Sequence, residues 1–259
     1  MPQVQWVVGF HAVESVLSQH PEDVLELLVL EGRGDRRLDD VVSTADSLGL
    51  ACRRLPRAAL EREIGQGKGK GTGQQGQPVH QGVAARCRMR DLLRDEAWLE
   101  KHLDGLDHAP LLLVLDGVTD PHNLGACLRS ADAAGVDAVI MPRDRCAPVN
   151  TTVRKVACGA AETLALIGVT NLARTLKALK ARGIWLAGAA GEADSSVYDL
   201  DLRDPTALVM GAEDSGLRRL TREQCDYLVA LPMAGAVSSL NVSVATGVCL
   251  FEAVRQRCG

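Results

Sequence analysis

The spacing of apolar positions divides this chain of 259 residues into two stretches of alternating helices and strands. In the first, Ala12, Val13, Val16 and Leu17 fall at helical spacing, and "LELLVLE" reads as a short buried strand. Leu38, Val41, Val42, Ala45 and Leu48 recur at i, i+3, i+4, i+7 and i+10, a second helix, and "VHQGVAARC" predicts a closing strand. This places a small α/β domain over residues 1–85. Within it, "GQGKGKGTGQQGQP" (65–78) holds six glycines in fourteen residues, a composition whose backbone entropy opposes order, and it predicts a floppy loop. Residues 86–109, with "DLLRDEAWLEKHLDGLDHAP", read as a charged linker of helical character. In the second domain, 110–259, the pattern predicts strands at 111–115, 137–141, 163–167, 184–189, 207–210 and 227–231. Helices are expected at 123–134, 150–158, 171–181 and 240–256. Such alternation implies a mostly parallel sheet covered on both faces, with ligands beyond the carboxyl ends of its strands. The loops 116–123, 211–217 and 232–240 are therefore where chemistry is expected.

Composition narrows the classes. With 46% hydrophobic residues the chain can bury a real core. It has no apolar run long enough to span a membrane, and "MPQVQWVVGF" lacks the basic and apolar regions of a signal peptide, so a cytoplasmic protein is expected. Eight cysteines at wide, irregular intervals with no CxxC pair read as buried thiols, and the six histidines, all at or before position 122, have no metal-ligand spacing; no metal is expected. The net charge of −4 is divided evenly, residues 1–108 carrying 14 basic and 17 acidic side chains and the remainder 15 and 16. A nucleic-acid partner would have to be met by local clusters: Arg143 with Arg145, Arg154 with Lys155, and Arg218, Arg219 and Arg222. Ordinary solvated faces are the alternative. Seven aromatics are too few for a base-stacking platform.

The three loops hold the candidate residues. Asn123, in "LDGVTDPHNLGACLRSADAAGV", stands where a helix N-cap would, and Arg129 lies among small side chains where an i, i+3 pair with Asp132 is the plain alternative. "LVMGAEDSGLRRLT" sets Glu213 between Gly211 and Gly216, a plain turn or a place where backbone approaches a ligand. A serine-capped helix explains Ser238 or Ser239 in "LPMAGAVSSLNVSVATGVCLFEAV" but leaves Asn241 without a reason. Gly71, Gly73 and Gly76 satisfy GxGxxG with no strand before and no helix after, which excludes a dinucleotide fold there; Lys68 and Lys70 precede no Ser or Thr, which excludes a Walker loop.

In order and spacing, "DPHNLGACLRSADAAGV", "MGAEDSGLRRLT" and "LPMAGAVSSLNVSVATGVCLFEAV" resemble the three signature motifs of the SpoU (TrmH-like) ribose 2′-O-methyltransferases of the SPOUT superfamily. "GFHAVESVL", "VHQGVAAR", "VACGAAE" and "VTNLARTL" extend the resemblance over essentially the whole chain except the Gly-rich loop, toward members that methylate a guanosine ribose in the peptidyl-transferase region of 23S rRNA. The resemblance implies an N-terminal domain similar to ribosomal protein L30e that binds RNA, and a C-terminal SPOUT α/β domain with a deep trefoil knot. It implies S-adenosyl-L-methionine as cofactor, held largely by backbone at Gly211, Leu231, Met233 and Leu240. It implies a catalytic cluster of Asn123, Arg129, Glu213, Ser239 and Asn241. On physical grounds a charged Arg129, oriented by Glu213, is expected to stabilise the developing alkoxide, with Ser239 and Asn241 positioning Arg129 or the ribose. Partners implied are 23S rRNA or a large-subunit assembly intermediate, and a second copy in a homodimer. DNA, lacking the 2′-OH, is excluded as substrate. A tRNA ribose methyltransferase and a non-catalytic RNA-binding protein are the rival readings.

Overall fold

The computed structural model describes residues 3–32, 34–66, 81–89 and 91–258. The Gly-rich stretch expected over 65–78, with Lys68 and Lys70, lies almost wholly outside them. The chain divides into two compact units, Met1–Asp91 and Leu92–Gly259.

The first unit runs β1 (Gln3–Val8), α1 (Phe10–Gln19), β2 (Val24–Leu30), α2 (Arg36–Ser47), β3 (Cys52–Leu55), α3 (Arg57–Gln66) and β4 (Val83–Met89). Its sheet has the order β1-β4-β2-β3, with β4 antiparallel to both neighbours and β3 parallel to β2. Strand alternation sends Val7, Leu27, Val29 and Ala85 to one face, where Val13, Val16 and Leu17 of α1 and Leu38, Val41 and Ala45 of α2 cover them. Leu28 and Ala84 point the other way, against Leu60 and Ile64 of α3. The elements β1, β3 and α3 have no counterpart in the apolar pattern.

The second unit continues with β5 (Leu93–Arg94), α4 (Glu96–Asp104), β6 (Leu111–Asp116), α5 (Pro121–Ala133), β7 (Ala138–Pro142), α6 (Thr151–Ala157), α7 (Ala160–Thr163), β8 (Leu166–Val169) and α8 (Leu172–Ala181). It closes with β9 (Trp185–Ala189), β10 (Ser195–Ser196), β11 (Thr206–Gly211), α9 (Arg219–Arg222), β12 (Tyr227–Ala230) and α10 (Val242–Cys258). All eight strands are parallel, in the order β10-β12-β9-β11-β6-β7-β8-β5. Because both faces are covered, β6 is apolar at every position but its last: Leu111, Leu113 and Leu115 pack under α5 and α10, and Leu112 and Val114 on the face of α4 and α8. From β6 the chain steps outward through β7 and β8, then returns across β6 to place β9 and β11 on the other side. The carboxyl ends of β6 and β11 therefore flank the point where strand order reverses. The far end of α10 is fastened by Arg257, whose guanidinium donates to the carbonyls of Leu202, Ala109, Pro110 and Asp204 at 2.7–3.2 Å; burial lowers its pKa.

The structure corrects three expectations. The linker read over 86–109 is split: Val83–Met89 is a central strand of the first unit, while Leu93–Arg94 pairs with β8 and α4 sends Leu99 into the core of the second. The strand expected from 163 starts at Leu166, since Ala160–Thr163 forms a helical turn. The closing helix starts at Val242, leaving Ser239, Leu240 and Asn241 before it. Among the described residues no helix is long and apolar enough to cross a membrane.

Candidate active site

The first loop leaves β6 at Asp116, turns at Gly117 with φ +89, and enters α5 through Asp120, whose carboxylate accepts from His122 N (3.1 Å), with Pro121 at the first helical position. Asn123 is therefore not the cap expected from its position; it stands in the first helical turn with its side chain free to reach outward. In the second loop Ala212 and Gly216 exchange two backbone hydrogen bonds (3.1 and 2.9 Å), folding the chain back over Gly211. A Cβ at Gly211 would lie 2.2 Å from the Gly216 carbonyl carbon, so only glycine fits. In the third, Asn241 Oδ1 accepts from Ser243 N (2.9 Å) and Ser243 Oγ (2.6 Å), and the Asn241 carbonyl receives Ala245 N (2.9 Å). Asn241 is the N-cap of α10, which corrects the serine-capped alternative.

The same Asn241 joins the three loops. Its Nδ2 donates to Asn123 Oδ1 (3.0 Å) and to Glu213 Oε1 (3.3 Å), and Asn123 Nδ2 donates to Glu213 Oε2 (2.9 Å). Both carboxylate oxygens have an amide donor, and the three residues close a ring across sequence separations of 90, 118 and 28.

Arg129 and Ser239 are not in that ring. Arg129 is exposed, about two turns along α5, and donates to Cys158 Sγ at 3.5 Å, its one side-chain hydrogen bond among the described residues. The expected orientation of Arg129 by Glu213 is thus absent, because Glu213 is held by the two asparagines. Asp132 is likewise taken, by the Thr163 hydroxyl at 2.5 Å, so the i, i+3 pair does not form either. Ser239 is exposed and lines a cavity next to the ring.

That cavity, of about 380 Å³, lies beyond β9, β11 and β12. All four residues expected to hold a cofactor, Gly211, Leu231, Met233 and Leu240, line it, as do Glu213 and Ser239. Its size suits a nucleoside-sized ligand. Apolar side chains with the bare backbone of 211–217 offer a slot for an aromatic base and main-chain donors and acceptors for its edge, so the residues present fit S-adenosylmethionine. Cys249 lines the cavity from α10; burial pushes its thiol up to about 12, so it stays protonated and serves as wall.

Sequence reasoning missed Asp116. Fully buried at the end of β6, it accepts from the Arg218 backbone N–H (3.0 Å) and forms an ion pair with the Arg218 guanidinium, fixing where the second loop leaves the edge. The signal was a lone carboxylate ending "LLLVLD". Other expected phosphate ligands are similarly engaged: Arg154 is buried in a 2.9 Å pair with Glu162, Arg219 pairs with Glu223 and Arg222 with Glu192. The thiol expectation also needs adjusting, since Cys158 and Cys258 are exposed.

A sequence model of the SpoU rRNA Methylase family matches residues 110–251, more than half of the chain, and one described as RNA 2′-O ribose methyltransferase substrate binding matches 6–69. The chain belongs to the SpoU methylase family. Among its SpoU relatives, a protein of Pseudomonas aeruginosa named 23S rRNA (guanosine-2′-O-)-methyltransferase RlmB is 55% identical over 99% of this chain and 98% of that one. One of the same name from Pectobacterium atrosepticum is 54% identical over 98% of each. The crystal structure of the SpoU methyltransferase AviRb from Streptomyces viridochromogenes, in complex with the cofactor AdoMet, aligns at TM-score 0.78 with 25% identity, covering 99% of this chain and 91% of that one. SpoU membership accounts for the parallel second unit and for an N-terminal unit joined to it.

Proposed function

We propose that this chain transfers the methyl group of S-adenosyl-L-methionine to the ribose 2′-OH of a guanosine in 23S rRNA, in the cytoplasm during ribosome biogenesis. The observation that carries the reading is 55% identity over 99% of the chain to a relative of that name, with the cavity and the polar ring side by side at the expected sheet edge. In this reading the unit Met1–Asp91 binds RNA and Leu92–Gly259 is catalytic.

When bound, the cofactor supplies an electrophilic methyl group. Gly211, Leu231, Met233 and Leu240 hold it in the cavity, and the Gly216 fold-back keeps their backbone groups in place. The ring of Asn123, Glu213 and Asn241 is a positioning network: with its oxygens and amides engaged, it fixes the three loops against one another and presents a rigid polar wall to the ribose. Ser239, at the rim, supplies a hydroxyl to the same ribose. Proton loss from the 2′-OH needs a base or stabilisation of the developing alkoxide. A guanidinium, with a pKa above about 12, is no base at neutral pH. Arg129, held by a single soft sulfur contact, keeps donors for the alkoxide and a substrate phosphate, and the proton leaves to that phosphate or to water.

Two further parts of the reading rest on the second unit. The deep trefoil knot is supported by α10 returning from the outlying β12 to pack on β11 and α5. A homodimer is supported by Val244 and Phe251, seven residues apart on α10 and each half exposed, an apolar stripe that a second copy would cover.

The reading is tested by incubating the protein with labelled S-adenosylmethionine and 23S rRNA or large-subunit precursor particles, then identifying the modified nucleoside by mass spectrometry. One 2′-O-methylguanosine at a single position is expected. Label in tRNA alone, or in no RNA, overturns it.

A further inference from the structure

A second cavity, of about 430 Å³, opens at the same edge of the sheet beyond β7 and β8, with the loop after β7, the start of α8 and α9 around it. Three arginines line it, Arg145, Arg218 and Arg219, against one acid, Asp144. They are not equivalent. Arg218 is committed to buried Asp116 and Arg219 to Glu223, whereas exposed Arg145 makes no hydrogen bond or ion pair with any described residue. Its backbone is also unusual: φ is +65, a left-handed conformation that a residue with a Cβ rarely adopts. Leu220, 54% exposed, lines the same cavity and adds an apolar surface to it.

The two cavities adjoin. A Cβ built on Gly117 would lie 3.8 Å from both Ala212 Cβ and the Arg145 carbonyl oxygen, so the Glu213 loop and the Arg145 loop come together at one glycine. The Arg218–Asp116 pair fixes the segment in which Leu217 lines the first cavity and Arg218 the second.

We propose that the second cavity is a subsite for the substrate RNA backbone, receiving a phosphodiester adjacent to the methylated nucleotide, with Arg145 as its cation and Leu220 against the neighbouring sugar or base. The inference rests on the methyltransferase reading and adds to it the path of the strand. A planar guanidinium with all its donors free matches two phosphate oxygens at once, which a lysine does not.

The test compares the full-length wild type with Arg145→Gly and Arg145→Lys, using a 23S rRNA transcript. Glycine adopts φ +65 without strain, so Arg145→Gly keeps the fold while losing the cation. Expected for Arg145→Gly are a five- to tenfold weaker rRNA dissociation constant, a slope of log affinity against log salt smaller by about one, and a KM for rRNA raised by the same factor. The kcat and the S-adenosylmethionine dissociation constant should stay within twofold, and Arg145→Lys should recover the salt slope but only part of the affinity. The substitution Lys177→Ala, on the exposed side of α8, controls for charge alone and should change affinity less than twofold. Unchanged rRNA affinity and salt slope in Arg145→Gly overturn the subsite. So does binding of inorganic phosphate, at constant ionic strength, that the variant loses while its rRNA affinity is unaltered, which would assign the cavity to a small anion. Absence of methyl transfer by the wild type instead sinks the methyltransferase reading, and the binding and salt-slope arms still decide the subsite.

Discussion

The cavity beyond β9, β11 and β12 and the flank of α5 beside it are built from opposite materials. The cavity is shaped by the path of the main chain: a fold-back over Gly211, a loop from Leu231 to Leu240, and apolar side chains that mostly fill space. The flank of α5 is shaped by side chains, with Asn123 locked into a ring and Arg129 left with one weak partner. Under the proposed function the contrast becomes a division of labour, in which the backbone-built region recognises the cofactor and the side-chain region acts on the RNA. It follows that the two should fail differently when altered.

The largest effects are expected from the cavity. Gly211→Ala drives a Cβ into the Gly216 carbonyl carbon at 2.2 Å, so the fold-back must open. At about 3 kcal/mol, the upper range for overpacking, this corresponds to roughly a hundredfold weaker S-adenosylmethionine binding by titration calorimetry. Leu240→Asp, which sets a charge in the apolar slot, should lose binding and transfer together. Cofactor affinity within threefold of wild type in both would show that the cavity is not the cofactor site.

Arg129→Ala should behave in the opposite way. Removing one preformed donor to a developing oxyanion costs roughly 10² to 10³ in kcat, while cofactor affinity stays within twofold because Arg129 does not line the cavity. Arg129→Lys should restore little. Full kcat in Arg129→Ala would leave the α5 flank without a chemical role.

The ring belongs to both regions, and Asn241 separates its two duties. Asn241→Ala removes the cap of α10, a loss of about 1 kcal/mol in denaturant unfolding, and leaves Glu213 and Asn123 each short of a donor. Asn241→Asp keeps the acceptor that caps the helix but sets a second carboxylate against Glu213, so stability should largely survive while kcat falls. Equal activity in the two variants would mean that the cap, and not the amide bridge, is what the site needs from Asn241.

What could be read from sequence follows the same division. The β6–β7–β8 succession, the three loops and every cavity residue named in advance were legible, since apolar periodicity and glycine placement are local signals and the motif resemblance carried the rest. The helix starts were not. Asp120-Pro121 signals the cap of α5 three residues ahead of the expected start at Asn123, and Asn241, expected inside its helix, caps it instead. The pairing of Asp116 with Arg218 spans 102 positions, and no local pattern reports such a distance. The same limit hid which cations were free: seven basic residues looked alike in sequence, and only folding distinguished buried Arg154, with its Glu162 partner, from exposed Arg145. Short amphipathic pieces such as β3 and β5, with four and two residues, are too brief to show a period.

The smallest effect concerns α10, which serves both regions: Asn241 caps it into the ring, and Val242, Ala245 and Cys249 turn its inner face to the cavity. One turn beyond Cys249, buried Glu252 accepts from Arg255 (two bonds of 2.8 Å) and from Gln256 (2.7 Å), and these donors, the Arg255 pair foremost, lower its pKa to about 2. A carboxyl depressed in the folded state contributes stability that is fully present above its unfolded value near 4.5 and disappears as pH falls toward 2. The thermal midpoint should therefore be level between pH 7 and about 5 and decline below it. Glu252→Gln, which keeps the shape, should lie lower by about 1 kcal/mol at pH 7, a figure restrained by the exposure of Arg255, and should converge with wild type near pH 2. Because the pair lies beyond Cys249, the last residue of α10 to line the cavity, and about three turns from the cap at Asn241, both S-adenosylmethionine affinity at pH 7 and kcat should stay within twofold of wild type in Glu252→Gln. A variant that loses kcat instead would show that α10 couples the two regions along its length, and the division of labour between backbone and side chains would have to be abandoned.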